Sequence, residues 1–419
     1  MNRPDHRAIN RFRGVVMKGA VEEVFYGVVE QLLDIGLIDL EKYFVEGTKV
    51  EANANRYSYV WRKSTTKYKA GLQEKVSKLL QEIEEIEDAE EREYGEKDLE
   101  EVGEGKEIKA EDLKKAVEKI NERLKAEPEN KELKKAKKVL EKDFIPRAEK
   151  YEHQEKTFKG RNSYSKTDED ATFMRMKEDH MRNGQLKPGY NVQMGTENQF
   201  VIGFTVHQRP GDSGCLKPHL EHVRAWLGEY PEVVVADAGY GSEENYDYLQ
   251  QRHIPAYIKY NTFHQEQKRN YKKKKPYRQE NFAYDPEKDE YICPQGERLV
   301  YVGSRQYRSA NGYVSSRRLY EGQACGTCPV KNECTRGAGN RKLVVGVELQ
   351  EMRKLAQDRL VSPRGQALRS QRPIDVEVVY GRLKQNWGFR RFLLRGLEKV
   401  KIEWGILCMA HNIAKVAAQ

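Results

Sequence analysis

The stretch Glu232–Gly241, EVVVADAGYG, decides the fold. Its run of valines fits a strand buried on both faces, and Asp237 follows directly, where the run stops at Ala-Gly-Tyr-Gly. Sheets of α/β proteins place their sites at the carboxyl ends of such strands, which makes Asp237 a candidate functional acid. The plainer alternative is a solvated turn aspartate, with Ser242 capping the next helix. Working outward, NVQMGTENQFVIGFTVHQ reads as two strands, LKPHLEHVRAWLG and SEENYDYLQQRHI as helices, and PAYIKY as a further strand. Strands alternating with helices imply an α/β sheet with crossovers.

Towards the N-terminus, Ala20–Leu40 repeats apolar residues at helical spacing with Gly36 as a stop. KYFVEGTKVEANA then reads as a strand or tight strand pair carrying one carboxylate, Glu46. Leu72, Val76, Leu79, Ile83 and Ile86 fall at 4-3-4-3 spacing, as do Leu113, Val117, Ile120 and Leu124, which predicts a charged helical hairpin of coiled-coil type inserted into the sheet domain. Asp168 and Asp170 lie among polar residues without a preceding apolar run, so they are expected in a solvated loop.

The chain has 419 residues, enough for two or three structural units, and 34% of them are charged. Lys and Arg outnumber Asp and Glu by 75 to 66, a net +9 that mildly favours an anionic partner such as nucleic acid. MNRPDHRAINRFRG has no apolar signal region, and no stretch approaches the roughly 18–20 apolar residues of a membrane span, so a cytoplasmic protein without a membrane partner is expected. Six cysteines are too few for a disulfide scaffold in a chain this long. Cys293, Cys325, Cys328 and Cys334 share one region, and four thiolates would suit a structural Zn²⁺; unligated thiols or a redox pair are the alternatives. Lys272, Lys273, Lys274 and Lys275 form a basic tract that is either a solvated run or a track for phosphates.

Near the C-terminus, Pro373 suits a helix's first turn, and Glu377 and Lys384 stand seven apart, two turns along one face. Arg390, Arg391 and Arg395 interleave with Trp387, Phe389 and Phe392, which fits either phosphate contact with base stacking or an aromatic core with surface arginines. His207 and His411 show no ligand spacing and read as structural, and Cys408 reads as helix core.

Together, FVEGTKVEANANRY, LKPGYNVQ, VVVADAGYGSEENY, the cysteine block and DVEVVYGRLKQNWGFRRFLLRGLEKV resemble the DDE transposases of bacterial insertion sequences, over nearly the whole chain. The resemblance implies an RNase H-like α/β fold, a mixed sheet flanked by helices, with a helical-hairpin insertion and a Cys-rich insertion. It divides the chain into an N-terminal helical remnant of a DNA-binding region (1–40), the first part of the catalytic domain (41–63), the hairpin (64–160), the catalytic core (161–260), the basic and Cys-rich insertion (261–346) and closing helices (347–419). Glu46, Asp237 and Glu377 become the three acids that hold two Mg²⁺ ions, for which Mn²⁺ can substitute. Lys384, Arg372, Arg390, Arg391 and the lysine tract become DNA contacts. The implied partner is double-stranded DNA, both element ends and target, handled by a homodimer. The sequence departs from the family's pattern in three places. Glu46 stands where Asp is usual, which implies lowered or lost cleavage. In the signature Tyr-x2-Arg-x3-Glu-x6-Lys, Ser370 and Pro373 occupy the Tyr and Arg positions, with Arg372 displaced by one. The chain also opens without the family's further N-terminal helices, as a shortened copy would. The rival expectations are a DNA-binding remnant without cleavage activity, and an interaction protein organised by the coiled coil and a zinc module.

Overall fold

The computed structural model describes residues 4–94, 108–176 and 185–419, with the side chains of 84–94, 272 and 274 outside that description. The chain divides into two compact units, Met1–Val50 with Tyr190–Gln419, and Glu51–Gly189.

The first unit is built on strands β1 (Lys42–Glu51), β2 (Leu186–Glu197, whose first residues belong to the other unit), β3 (Phe200–His207), β4 (Val233–Ala236) and β5 (Ala256–Ile258). They lie in the order β3-β2-β1-β4-β5. β2 and β3 are antiparallel and joined through Asn198 and Gln199, both at positive φ, the backbone a two-residue hairpin turn demands. β4 runs parallel to both β1 and β5. Helices Leu216–Leu227 and Glu243–Gln251 make the crossovers. Ser242 caps the second of them, accepting from Asn245 N at 3.3 Å. This is the mixed sheet flanked by helices that the RNase H-like expectation requires, and β1 is a single strand rather than a strand pair.

β1 is buried almost throughout because both its faces are covered, which is why its sequence alternates so poorly. The first long helix, Met17–Asp34, buries Val21, Phe25, Tyr26, Val29 and Leu32 and packs against Leu397–Val416, which buries Trp404 and Cys408. Gly36, at φ +71, follows the helix's end at Asp34, as the sequence stop there predicts.

After Gly346 the chain is helical over Val347–Val361 and Pro363–Arg372, with Ser362 capping the latter through Gly365 N at 3.1 Å. It continues through a π-helical turn, Pro373–Glu377, then Val378–Gly381 and a second π turn, Arg382–Asn386. Pro373 therefore lies inside a long helical run, not in a first turn. Proline has no N–H to donate and its ring crowds the carbonyl four residues back, so the widened turn accommodates it. Between Ala283 and Val345 a five-stranded antiparallel meander packs around Phe282, Tyr291, Leu299, Tyr320, Leu343 and Val345.

In the second unit, Arg62–Tyr94, Ala110–Ala126 and the run from Lys131 to Phe158 bury one another's apolar faces. Leu72, Val76 and Ile83 meet Leu113, Val117 and Ile120, positions the heptad spacing selects, together with Leu133 and Leu140 of the third run; Leu79 and Leu124 are partly buried at its edge, and Ile86 lies outside the described side chains. The third helical run makes this a small bundle rather than a two-stranded seam.

Candidate active site

The register of the sheet brings the first two acids together. Val45 pairs with Ala236 across β1 and β4, so the next residues, Glu46 and Asp237, lie side by side at the carboxyl end of β4, beyond which β1 runs on to Glu51. Ala236 in turn pairs with Ile258, which makes Lys259 the neighbour of Asp237 on the other side. Asp237 begins a tight turn over Ala238–Tyr240 and accepts from Gly239 N at 2.8 Å.

The third acid reaches this end of the sheet on the long helical run. Arg372, 7% exposed, pairs through Nη1 with Glu46 Oε2, and its Nη2 lies 3.4 Å from Glu377 Oε1. One guanidinium thus joins two of the expected acids. Tyr380 fixes the run against β1 by donating to the Glu46 carbonyl at 2.9 Å, and Lys384 Nζ donates to Thr48 Oγ1 at 3.3 Å. Glu377 and Lys384 do not share one exposed face: Glu377 is exposed and Lys384 buried, because π turns change the helical phase between them.

Titration directions place the surrounding groups. Burial, followed by the positive charges of Arg372 and Arg369, lowers the Lys259 ammonium, while Asp237 and Glu377 oppose that shift. Burial pushes the Tyr240 phenol well above its usual value, reinforced by the charges of Asp212, Tyr380, Glu46 and Asp237. Tyr380 is likewise held far above, chiefly by burial and then by Glu46. These phenols stay protonated and serve as donors.

All the acids offer hard oxygen donors, the chemistry that suits Mg²⁺ or Mn²⁺. Among the described residues, however, no three His, Cys, Asp or Glu side chains converge closely enough to hold a metal ion. The reason at the three acids is physical: the Arg372 guanidinium stands between Glu46 and Glu377 and neutralises the former.

Other expected positions fall as follows. Arg390 and Arg391 are exposed, Arg390 bonded to Gln385. Phe392 is buried against Phe389 and Trp404, so those aromatics are core, whereas Trp387 is 40% exposed beside Arg382. Lys273 and Lys275 are exposed; the side chains of Lys272 and Lys274 lie outside the described residues. Cys293, Cys325, Cys328 and Cys334 line one pocket, close enough that the other three thiols help raise Cys334 after burial does. His411 bonds the Gln199 carbonyl at 2.9 Å and His207 the Thr205 hydroxyl at 2.8 Å, both structural roles. Asp168 is buried, not solvated, since its backbone bridges to Ser165 in the second unit.

Sequence reading overlooked Lys259 and Asp212. Lys259 could have been found as the residue that ends PAYIKY, the strand next to Asp237. Asp212 sits in QRPGDSG with no apolar strand directly before it and gave no comparable signal.

Residues 292–417 match the family model of the transposase DDE domain. That span contains Glu377, Arg372 and Lys384. No curated protein matches the chain. Over these residues the chain is therefore similar to transposase DDE domains.

Proposed function

We propose that this chain is the transposase of an insertion sequence, which binds the ends of its element as double-stranded DNA and cleaves and joins strands by phosphoryl transfer. The observation that carries this reading is the meeting of Glu46, Asp237 and, through Arg372, Glu377 at one end of the sheet. The family match over residues 292–417 supports it. Two Mg²⁺ ions, or Mn²⁺ in their place, would neutralise phosphate charge and activate the attacking oxygen. Glu46, Asp237 and Glu377 are the residues that would hold them. Lys259, half-buried between acids and arginines, is positioned for a phosphate oxygen, as a point charge that gains strength from partial desolvation. Arg390, Arg391 and the lysines 272–275 grip the DNA backbone, a contact that fixes register without reading sequence, while buried Lys384 holds the helical run to β1 through Thr48. Two copies are needed to hold two ends, and the DNA they act on is cytoplasmic.

The test is strand cleavage of DNA bearing the element's ends. Asp237→Asn is expected to abolish metal-dependent cleavage while leaving DNA binding intact, and cleavage persisting in that variant would remove the assignment. A second reading, a DNA-binding protein that no longer cuts, is favoured by one specific observation, the engagement of Glu46 by Arg372. Cleavage that is absent in the natural chain and appears in Glu46→Asp would select it.

A further inference from the structure

A fourth carboxylate stands near Asp237. Asp212 lies in the loop after β3, and its Oδ1 accepts from Asn191 Nδ2 at 2.8 Å and Gln193 Nε2 at 3.1 Å. Asn191 and Gln193 are two apart on β2, so both project from one face of the sheet, and both are fully buried. The network has a direction. The Tyr240 hydroxyl, kept protonated by burial, donates to Gln193 Oε1, so the Gln193 nitrogen must be the end that donates. That nitrogen also donates to Asn191 Oδ1 at 2.9 Å, which turns the Asn191 amide towards Asp212 as well. Burying two primary amides is costly unless they are bonded, and here their donors converge on a single carboxylate oxygen.

The other oxygen faces the turn after Asp237. Asp212 Oδ2 lies 3.6 Å from the point where a Cβ on Gly239 would stand, and Asp237 Oδ1 lies 2.9 Å from the same point. The two carboxylates are thus no farther apart than the sum of those distances. On the opposite side, the Asp212 carboxylate fills the space a Cβ on Gly47 would need, directly after Glu46. Asp212 therefore lies between the turn that follows Asp237 and Gly47 of β1, on the face of that strand opposite the Glu46 side chain.

We propose that Asp212 is a further acid of this site, sharing one Mg²⁺ or Mn²⁺ ion with Asp237. The inference rests on the reading above, that the acids form a divalent-cation site. Mg²⁺ is commonly held by only one or two carboxylates, with water and substrate phosphate completing its shell, so this pair suffices without a third side chain. The amides of Asn191 and Gln193 act as positioning residues, holding Oδ1 so that Oδ2 is presented to the ion.

The experiment is Mn²⁺ binding to the full chain, read from the free-ion paramagnetic resonance signal. Asp212→Asn keeps an oxygen to accept from Asn191 and Gln193 and removes only the charge. Gly239→Ala keeps both charges and places a methyl between them, at a backbone position that is not left-handed. Each is expected to weaken Mn²⁺ binding at least tenfold, as Asp237→Asn does. Should Asp212→Asn fail to fold, Gly239→Ala decides alone. Wild-type Mn²⁺ affinity in Asp212→Asn and Gly239→Ala, with loss only in Asp237→Asn, would overturn the role of Asp212 and leave the three-acid reading standing. Unchanged affinity in all three variants, Asp237→Asn included, would overturn both.

Discussion

Replacing Arg372 with Met tests what the guanidinium does at Glu46. Methionine retains most of the apolar stem and removes the charge. Glu46 and Arg372 are 8% and 7% exposed, and removing one partner of a buried pair typically costs about 3–5 kcal/mol, because the remaining charge stays out of water. The Glu377 contact adds little: its side chain is 54% exposed and such pairs are worth under about 1 kcal/mol. Arg372→Met should therefore lose about 3–5 kcal/mol at neutral pH. Glu46→Gln alone strands the guanidinium instead, and the double variant Arg372→Met/Glu46→Gln, with neither charge, should recover most of the loss. The assay is urea unfolding of the four proteins, read by amide hydrogen exchange in β1 peptides so that the first unit is followed by itself. Excess Mg²⁺ should restore part of the stability of Arg372→Met, since an ion bound only by the folded state stabilises it by mass action. Equal destabilisation of Arg372→Met with and without Glu46→Gln would refute the reasoning.

His207 gives a pH dependence. Burial, with Arg209 and Lys401 nearby, pushes its imidazole down to about 4, while the unfolded chain takes up the proton near 6.5. The unfolded state thus binds more protons between those values, so stability falls as pH drops from 6.5 towards 4, by about 3 kcal/mol in full. His207→Gln should flatten that part of the stability–pH curve, and an unchanged slope would count against it. The four thiols line one pocket without converging closely enough to hold a metal ion, so the structural Zn²⁺ expected from their spacing requires them to draw together on binding; one Zn²⁺ per chain, reduced in Cys325→Ser, is the expected result, and elemental analysis finding no zinc in the purified protein would dismiss the idea.

Much of the fold was legible because its signals are local. The valine run gave β4, Gly36 gave the helix stop, and the heptad positions gave the buried face of the helical bundle. Asp237 was legible for the same reason: a strand ending in an acid before Gly-rich turn residues is a pattern within ten positions. Asp212 was not, since what distinguishes it is a set of donors from β2 and a gap at Gly47 and Gly239, all set by tertiary packing. The exposure of Trp387 against the part-burial of Phe389 and the burial of Phe392 was undecidable for a related cause. Three aromatics in six residues mark a surface or a core equally well until Trp404 is in place beside two of them.

The displaced arginine shows how local backbone form can alter the meaning of a spacing. In an α-helix, residues four apart are neighbours on one face, which is the separation of Arg and Glu in the transposase signature. Here Arg372 and Glu377 are five apart, and in an α-helix that offset would turn them away from each other. The turn between them, Pro373–Glu377, is π-helical, with its hydrogen bonds running to the fifth residue, so a five-residue step closes one turn. Arg372 Nη2 accordingly comes within 3.4 Å of Glu377 Oε1. Pro373, the first residue of that turn, also favours the wider form, since it lacks the N–H an α-helical bond would use. Pro373 and the five-residue spacing thus act together to set Arg372 beside Glu377.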